Sequence, residues 1–198
     1  MYAYDKILAG KKDNIKCNKL NFDINKFNTL NNALKKYNLG FLNKTNVNYL
    51  VLCEVLKVNN NLAAGFANSS FSTIIIDFSI DINFIERVIH HEIFHIIQSN
   101  HNTKLLDKKW LEQNADNFTY QKCLNCNLNY STDMLYEKKG FLTEYSKYSL
   151  SEDQAEVFSF LMSNAHIINS LAESDNILRN KITILKKFLY KINFYSND

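Results

Sequence analysis

The 198-residue chain has no proline and only four glycines. Its turns must therefore rest on Asn, Asp and Ser, which bond to their own backbone or tolerate left-handed geometry. No apolar run approaches the roughly 18–20 residues of a membrane span. The start, MYAYDKILAGKKD, lacks a basic segment followed by an apolar one, so it does not read as a secretory signal. The expectation is a protein that is cytoplasmic or exported by a signal-independent route. Charge of one sign is also scarce: the net value is +3, which is too mild to argue for nucleic acid. Lysines cluster at Lys11, Lys12, Lys16 and Lys19, and again at Lys181, Lys186, Lys187 and Lys191. They read as solvated faces. Of the four cysteines, Cys17, Cys53, Cys123 and Cys126, only the last two form CxxC. A structural zinc site usually takes two such pairs, so reduced thiols are expected.

What is present is a globular composition, with 46% apolar and 22% charged residues, long enough to bury a real core. Residues 1–22 are polar and read as a lead-in. Residues 23–198 read as one domain: a sheet part at 23–81, a helix at 82–99, a loop-rich part at 100–150, and two helices within 151–195. Phe27, Leu30, Leu34 and Tyr37 recur at helical spacing, with Gly40 as a stop. Residues 47–56, 64–70 and 72–78 read as strands, and Asn59-Asn60-Asn61 as a turn. Trp110, Phe118, Tyr120, Tyr130 and Tyr136 are expected to pack the loop-rich part onto the domain, with a substrate-contacting loop as the alternative. Ser151 reads as the N-cap of the helix over 151–170, with Gln154 completing a capping box. A final amphipathic helix spans about 175–194.

The segment Val88-Ile89-His90-His91-Glu92-Ile93-Phe94-His95-Ile96-Ile97 holds the pattern HExxH. Residues four apart on a helix lie one above the other, so His91 and His95 can reach one metal ion, and Glu92 can reach a water on it. The surrounding Ile85, Val88, Ile89, Ile93, Phe94, Ile96 and Ile97 predict burial. Polar groups in a buried helix need partners, and a metal satisfies all three. His90 has no ligating residue one turn on and reads as a supporting or structural residue.

A catalytic zinc takes three protein ligands and keeps one position open. His101 stands where the longer pattern HExxHxxGxxH has its third histidine, but Gln98 replaces the glycine that lets the chain turn back. Glu152 and Glu156 lie one helical turn apart. One could bind the metal while the other accepts a hydrogen bond from a ligand histidine. Spacing alone equally allows both to be ordinary first-turn residues beside solvent.

HHEIFH followed by TEYSKYSLSEDQAEVF resembles the metallopeptidase group containing anthrax lethal factor and the bacterial Pro-Pro endopeptidases. It is also similar to bacterial proteins known only as zinc-binding metallopeptidases. The resemblance covers about 82–165. It implies Glu152 as the zinc ligand, Glu156 as its support and Tyr145 facing the substrate, with Tyr148 a lesser candidate. It implies an α+β, zincin-like fold: a small twisted, mostly antiparallel sheet packed on the metal helix, then a mainly helical C-terminal part. An edge strand near Gly65–Ser70 would pair with an extended peptide. The expected function is a zinc endopeptidase carrying one catalytic Zn2+ and acting on a protein or peptide, with no nucleic-acid partner and no integral membrane segment. A catalytically silent zinc-binding interaction module is the rival. Binding of nucleic acid or membrane through the lysine faces is a third reading.

Overall fold

The computed structural model describes residues 14–121, 133–135 and 139–195. It is a mixed α/β protein with a small mixed sheet and a helical C-terminal part. Two compact units divide the chain: residues 1–100 with 197–198, and residues 101–196. Among the described residues, no helix is long and apolar enough to cross a membrane.

The first unit runs β1 (Ile15–Asn18), α1 (Ile24–Leu34), α2 (Leu39–Lys44), β2 (Tyr49–Val58), β3 (Asn61–Leu62), β4 (Gly65–Asn68), β5 (Thr73–Asp77) and α3 (Ile82–Asn100). β1 lies within the expected lead-in. Its Ile15 and Cys17 are buried while Lys16 and Asn18 face outward, the period-two alternation of a half-buried strand. The helix expected from Ile24 to Gly40 is two helices. Asp23 caps α1 by accepting the Asn25 and Lys26 N–H groups. Asn38 accepts the Gly40 N–H at 2.6 Å and starts α2, so Gly40 opens the second helix rather than ending the first.

The strand order is β1-β2-β5-β4, with β3 also on β2. β2 and β5 are parallel, and the other pairings are antiparallel. β2 changes partners midway. Its first half pairs with β5 and its second half with β1 and β3. At the change Val55 has φ 53°, a left-handed conformation that a β-branched residue rarely adopts. The buried Asp77 carboxylate holds it there. It accepts the N–H groups of Val55 at 3.1 Å, Leu56 at 2.9 Å and Ser79 at 2.8 Å, together with the Ser79 hydroxyl at 2.6 Å. Strain of about 1–3 kcal/mol is thus offset by hydrogen bonds to a charged acceptor worth about 1.5–3 kcal/mol each.

One sheet face buries Ile15, Cys17, Cys53, Leu56 and Ile75, with Val51, Val58, Ala63 and Phe66 against them. Cys17 and Cys53, expected as free thiols, are joined in a disulfide between β1 and β2. Ile74 and Ile76 alternate onto the other face and are equally buried. α3 packs on α1, β4 and β5. Its Ile85, Ile89, Ile93, Phe94, Ile96 and Ile97 are buried, each contributing about 1.5–3 kcal/mol of transfer free energy.

The second unit holds α4 (Lys104–Leu111), a short 3-10 turn (Tyr145–Lys147), α5 (Leu150–Ser163), α6 (Ala165–Ser174) and α7 (Asn176–Lys191). The N-cap of α5 is Ser149, not Ser151; its hydroxyl accepts the Glu152 N–H at 3.2 Å. Ser149-Leu150-Ser151-Glu152 has the S-x-x-E spacing of a capping box, so the capping signal is present two residues earlier than expected. The helix expected over 151–170 breaks at Asn164, which ends α5 and starts α6. Asp175 likewise joins α6 to α7, accepting the Leu178 N–H at 3.0 Å and the Gly140 N–H at 2.6 Å. Trp110 is buried on α4, and the rings of Phe118, Tyr120 and Phe141 meet in edge-on and tilted contacts, so these aromatics pack rather than form a free loop. Tyr130, Tyr136, Cys123, Cys126, Lys11 and Lys12 lie outside the described residues.

Lys181 departs furthest from its expected solvated face. It is wholly buried, donating to Asp153 Oδ2 at 2.7 Å and to the Gly140 carbonyl at 2.8 Å. Trp110 Nε1 and the Tyr120 hydroxyl donate to the same Asp153 oxygen at 2.8 and 2.7 Å. Burial raises the Asp153 carboxyl and lowers the Lys181 amine, and their mutual attraction pulls each back toward its charged form.

Candidate metal centre

α3 supplies His91, Glu92 and His95 from one stretch of helix. The four-residue spacing sets the two imidazoles edge to face, with centroids 4.7 Å apart and Nε2 atoms 3.0 Å apart. Two ring nitrogens that close require a shared proton or a cation between them. His91 is 7% exposed and His95 half-buried, so the pair keeps a way to solvent.

The other nitrogen of His95 is also held. Nδ1 lies 2.8 Å from Gln98 Oε1, one turn further along α3. Gln98 had been notable in the sequence only for not being glycine; its spacing from His95 was the available signal. His90, the competing histidine, points elsewhere. It is fully buried, its Nδ1 shares a 2.6 Å hydrogen bond with the Tyr37 hydroxyl, and its Nε2 lies 3.7 Å from Glu86. Burial lowers its pKa and favours the neutral ring. His90 is thus a structural residue tying α3 to Tyr37 in the turn that follows α1.

Glu92 is 7% exposed and lies against β4. A Cβ placed on Gly65 would come within 2.7 Å of Glu92 Cγ, 2.8 Å of its Oε1 and 2.8 Å of Val88 Cγ1. All three distances are shorter than side chains tolerate, so this strand can approach the glutamate only because residue 65 has no side chain. Composition and motif reading did not reveal this role for Gly65.

In the second unit, Glu152 is half-buried in the first turn of α5, where the helix dipole favours negative charge. Glu156, one turn on, is 3% exposed and accepts the Thr143 hydroxyl at 2.8 Å. Tyr145 stands on the 3-10 turn with its ring stacked on Tyr148, centroids 6.1 Å apart. His101 lies edge-on to Phe188 at 6.5 Å.

His91 and His95 of the first unit each offer a ring nitrogen, and Glu152 of the second unit a carboxylate oxygen, as donors of the kind that hold a metal ion. Two neutral imidazoles and one carboxylate are a donor set suited to zinc with an open position.

No curated protein and no solved structure gives a significant match to the chain. Residues 55–195 match the model of a family described as "Putative zinc-binding metallo-peptidase". That match takes in α3 and α5, with Gly65, His91, Glu92, His95, Tyr145, Glu152 and Glu156, and the chain belongs to this family of zinc-binding metallopeptidases.

Proposed function

We propose that the protein is a zinc-dependent endopeptidase in which His91, His95 and Glu152 hold one catalytic zinc ion and Glu92 is the general base. The observation that carries this reading is the convergence of the His91 and His95 Nε2 atoms on α3, 3.0 Å apart. Zinc, when bound, acts as a Lewis acid that brings the pKa of a water to about 7 and polarises a carbonyl. Glu92 takes a proton from the attacking water on a carboxylate oxygen and later delivers it to the leaving amine nitrogen. The Tyr145 hydroxyl, by the resemblance drawn from the sequence, donates to the oxyanion. The Thr143 bond to Glu156 fits a carboxylate kept in place to support the centre.

The substrate is an extended peptide. β4 ends the sheet order with β5 on one side, and it runs directly beside Glu92 at Gly65. A peptide adding to its other edge would have its carbonyls presented to that glutamate. The zincin-like arrangement of sheet and metal helix belongs to the same proposal. A catalytically silent zinc module is the rival, but such a site needs no carboxylate at position 92.

The test is elemental analysis for zinc beside cleavage of a diverse peptide library by the wild type and Glu92→Ala. The expected result is one zinc per chain in both and cleavage by the wild type alone, abolished by a chelator. Zinc in both without cleavage by either would replace the peptidase with the module.

A further inference from the structure

We infer that Gln98 is the positioning residue that fixes the tautomer of His95, placing its proton on Nδ1 and leaving the Nε2 lone pair beside His91. The inference deepens the metallopeptidase reading and rests on it for the ligand role of His95.

A neutral imidazole has one donor and one acceptor nitrogen, and only the acceptor can bind a metal. His95 must therefore commit its proton to Nδ1 if Nε2 is to be a ligand. Nδ1 has the Gln98 side-chain oxygen at 2.8 Å, an ordinary N–H···O length. A carboxamide oxygen can only accept, so this contact requires the proton on Nδ1. Nε2 is then free of its proton and sits 3.0 Å from His91 Nε2. Gln98 reaches back three residues along the same helix, and its own side chain is half-buried, which shelters the bond from competing water.

The position of Gln98 gives it a second consequence. It stands where a glycine would let the chain fold back toward the metal and bring a third histidine. Here the residue instead continues α3 to Asn100, and the helix turn after His95 becomes the support for that ligand. An acceptor on the far nitrogen also increases the electron density donated by Nε2, and loss of such a partner typically costs about 10–100-fold in metal affinity.

The experiment uses the full chain, stripped of metal, uniformly 15N-labelled, at a pH where the ring is neutral. Two-bond 1H–15N correlation spectra assign the proton of His95 to Nδ1 or Nε2. Zinc affinity is then measured by competition with a chromophoric chelator for the wild type, Gln98→Glu and Gln98→Met. The wild type and Gln98→Glu should carry the proton on Nδ1. Gln98→Met, similar in length but without a strong acceptor, should shift it toward Nε2 and weaken zinc about 10–100-fold. A wild-type His95 protonated on Nε2 would overturn the inference. So would a Gln98→Met protein with unchanged tautomer and affinity. If Gln98→Met does not fold, the wild-type and Gln98→Glu spectra still decide the matter. A chain with the expected tautomers but no affinity for zinc would sink the peptidase reading while leaving the Gln98 assignment intact.

Discussion

Replacing Lys181 by Met removes a fully buried charge while keeping most of the side-chain volume. The ammonium lies 2.7 Å from Asp153, 2.8 Å from the Gly140 carbonyl and 4.0 Å from the centroid of the Phe141 ring. Breaking a buried ion pair from one side costs about 3–5 kcal/mol. The orphaned carbonyl would add about 1–3 kcal/mol and the lost cation–π contact about 0.5–2 kcal/mol, but the three share atoms and do not sum. The Asp153 carboxyl limits the loss by taking up a proton, the more easily because burial already raises its pKa. An unpaired Asp153 has a folded pKa above its unfolded one, so the penalty should shrink as pH falls. The expected loss at pH 7 is about 3–4 kcal/mol, a large share of the roughly 5–15 kcal/mol that holds a domain together. Trp110 is the sole tryptophan and its indole N–H donates to Asp153 at 2.8 Å, so its fluorescence reports this cluster directly. Urea unfolding would be followed for the wild type, Lys181→Met, Asp153→Asn and the double variant, with stabilities compared at a shared slope. The double variant should be less impaired than the sum of the singles. A loss below about 1 kcal/mol in Lys181→Met, or strict additivity, would refute the argument that the two charges depend on each other.

Two other outcomes follow from the first unit. Gly65→Ala should displace Glu92 and lower turnover about 100-fold or more, the contribution of a positioned general base, with zinc content unchanged. Steady-state cleavage with metal analysis checks it, and a turnover within a few-fold of wild type would show that β4 can give way. Glu86 has its pKa lowered from 4.5 to about 2, by the His90 ring and the Lys36 ammonium at 2.5 Å against the opposing effect of burial. A lowered carboxyl stabilises the fold above its unfolded pKa and loses that effect as pH falls toward about 2. Thermal melts of Glu86→Gln should therefore fall less steeply than wild type between pH 4.5 and 2.

The parts of this molecule that were legible beforehand are those in which one periodicity decides everything. α3 carries both the apolar stripe and the His91–His95 spacing, and each constrains the same helix. The strands near 49–58 and 73–77 announced themselves by branched side chains. β1 did not, because four residues with a lysine and an asparagine outward carry little signal. The N-cap of α5 was misplaced because Ser149 and Ser151 are both capable caps, and only packing selects between them. The Cys17–Cys53 bond links residues with no spacing rule between them. Lys181 was assigned to solvent because its helix is amphipathic. Its partner Asp153 lies 28 residues earlier, and no local pattern links the two. Gln98 and Gly65 matter through their contacts with His95 and with Glu92, and such contacts exist only once the backbone is folded.

The covalent tie between the first two described strands also changes what a cut would do. α1 and α2 lie on the stretch between the two joined cysteines, so that stretch is a closed ring. One broken peptide bond anywhere along it would open the ring without releasing a fragment. Detachment of the piece bearing residue 17 would need a second event, reduction, and the order of the two would not matter.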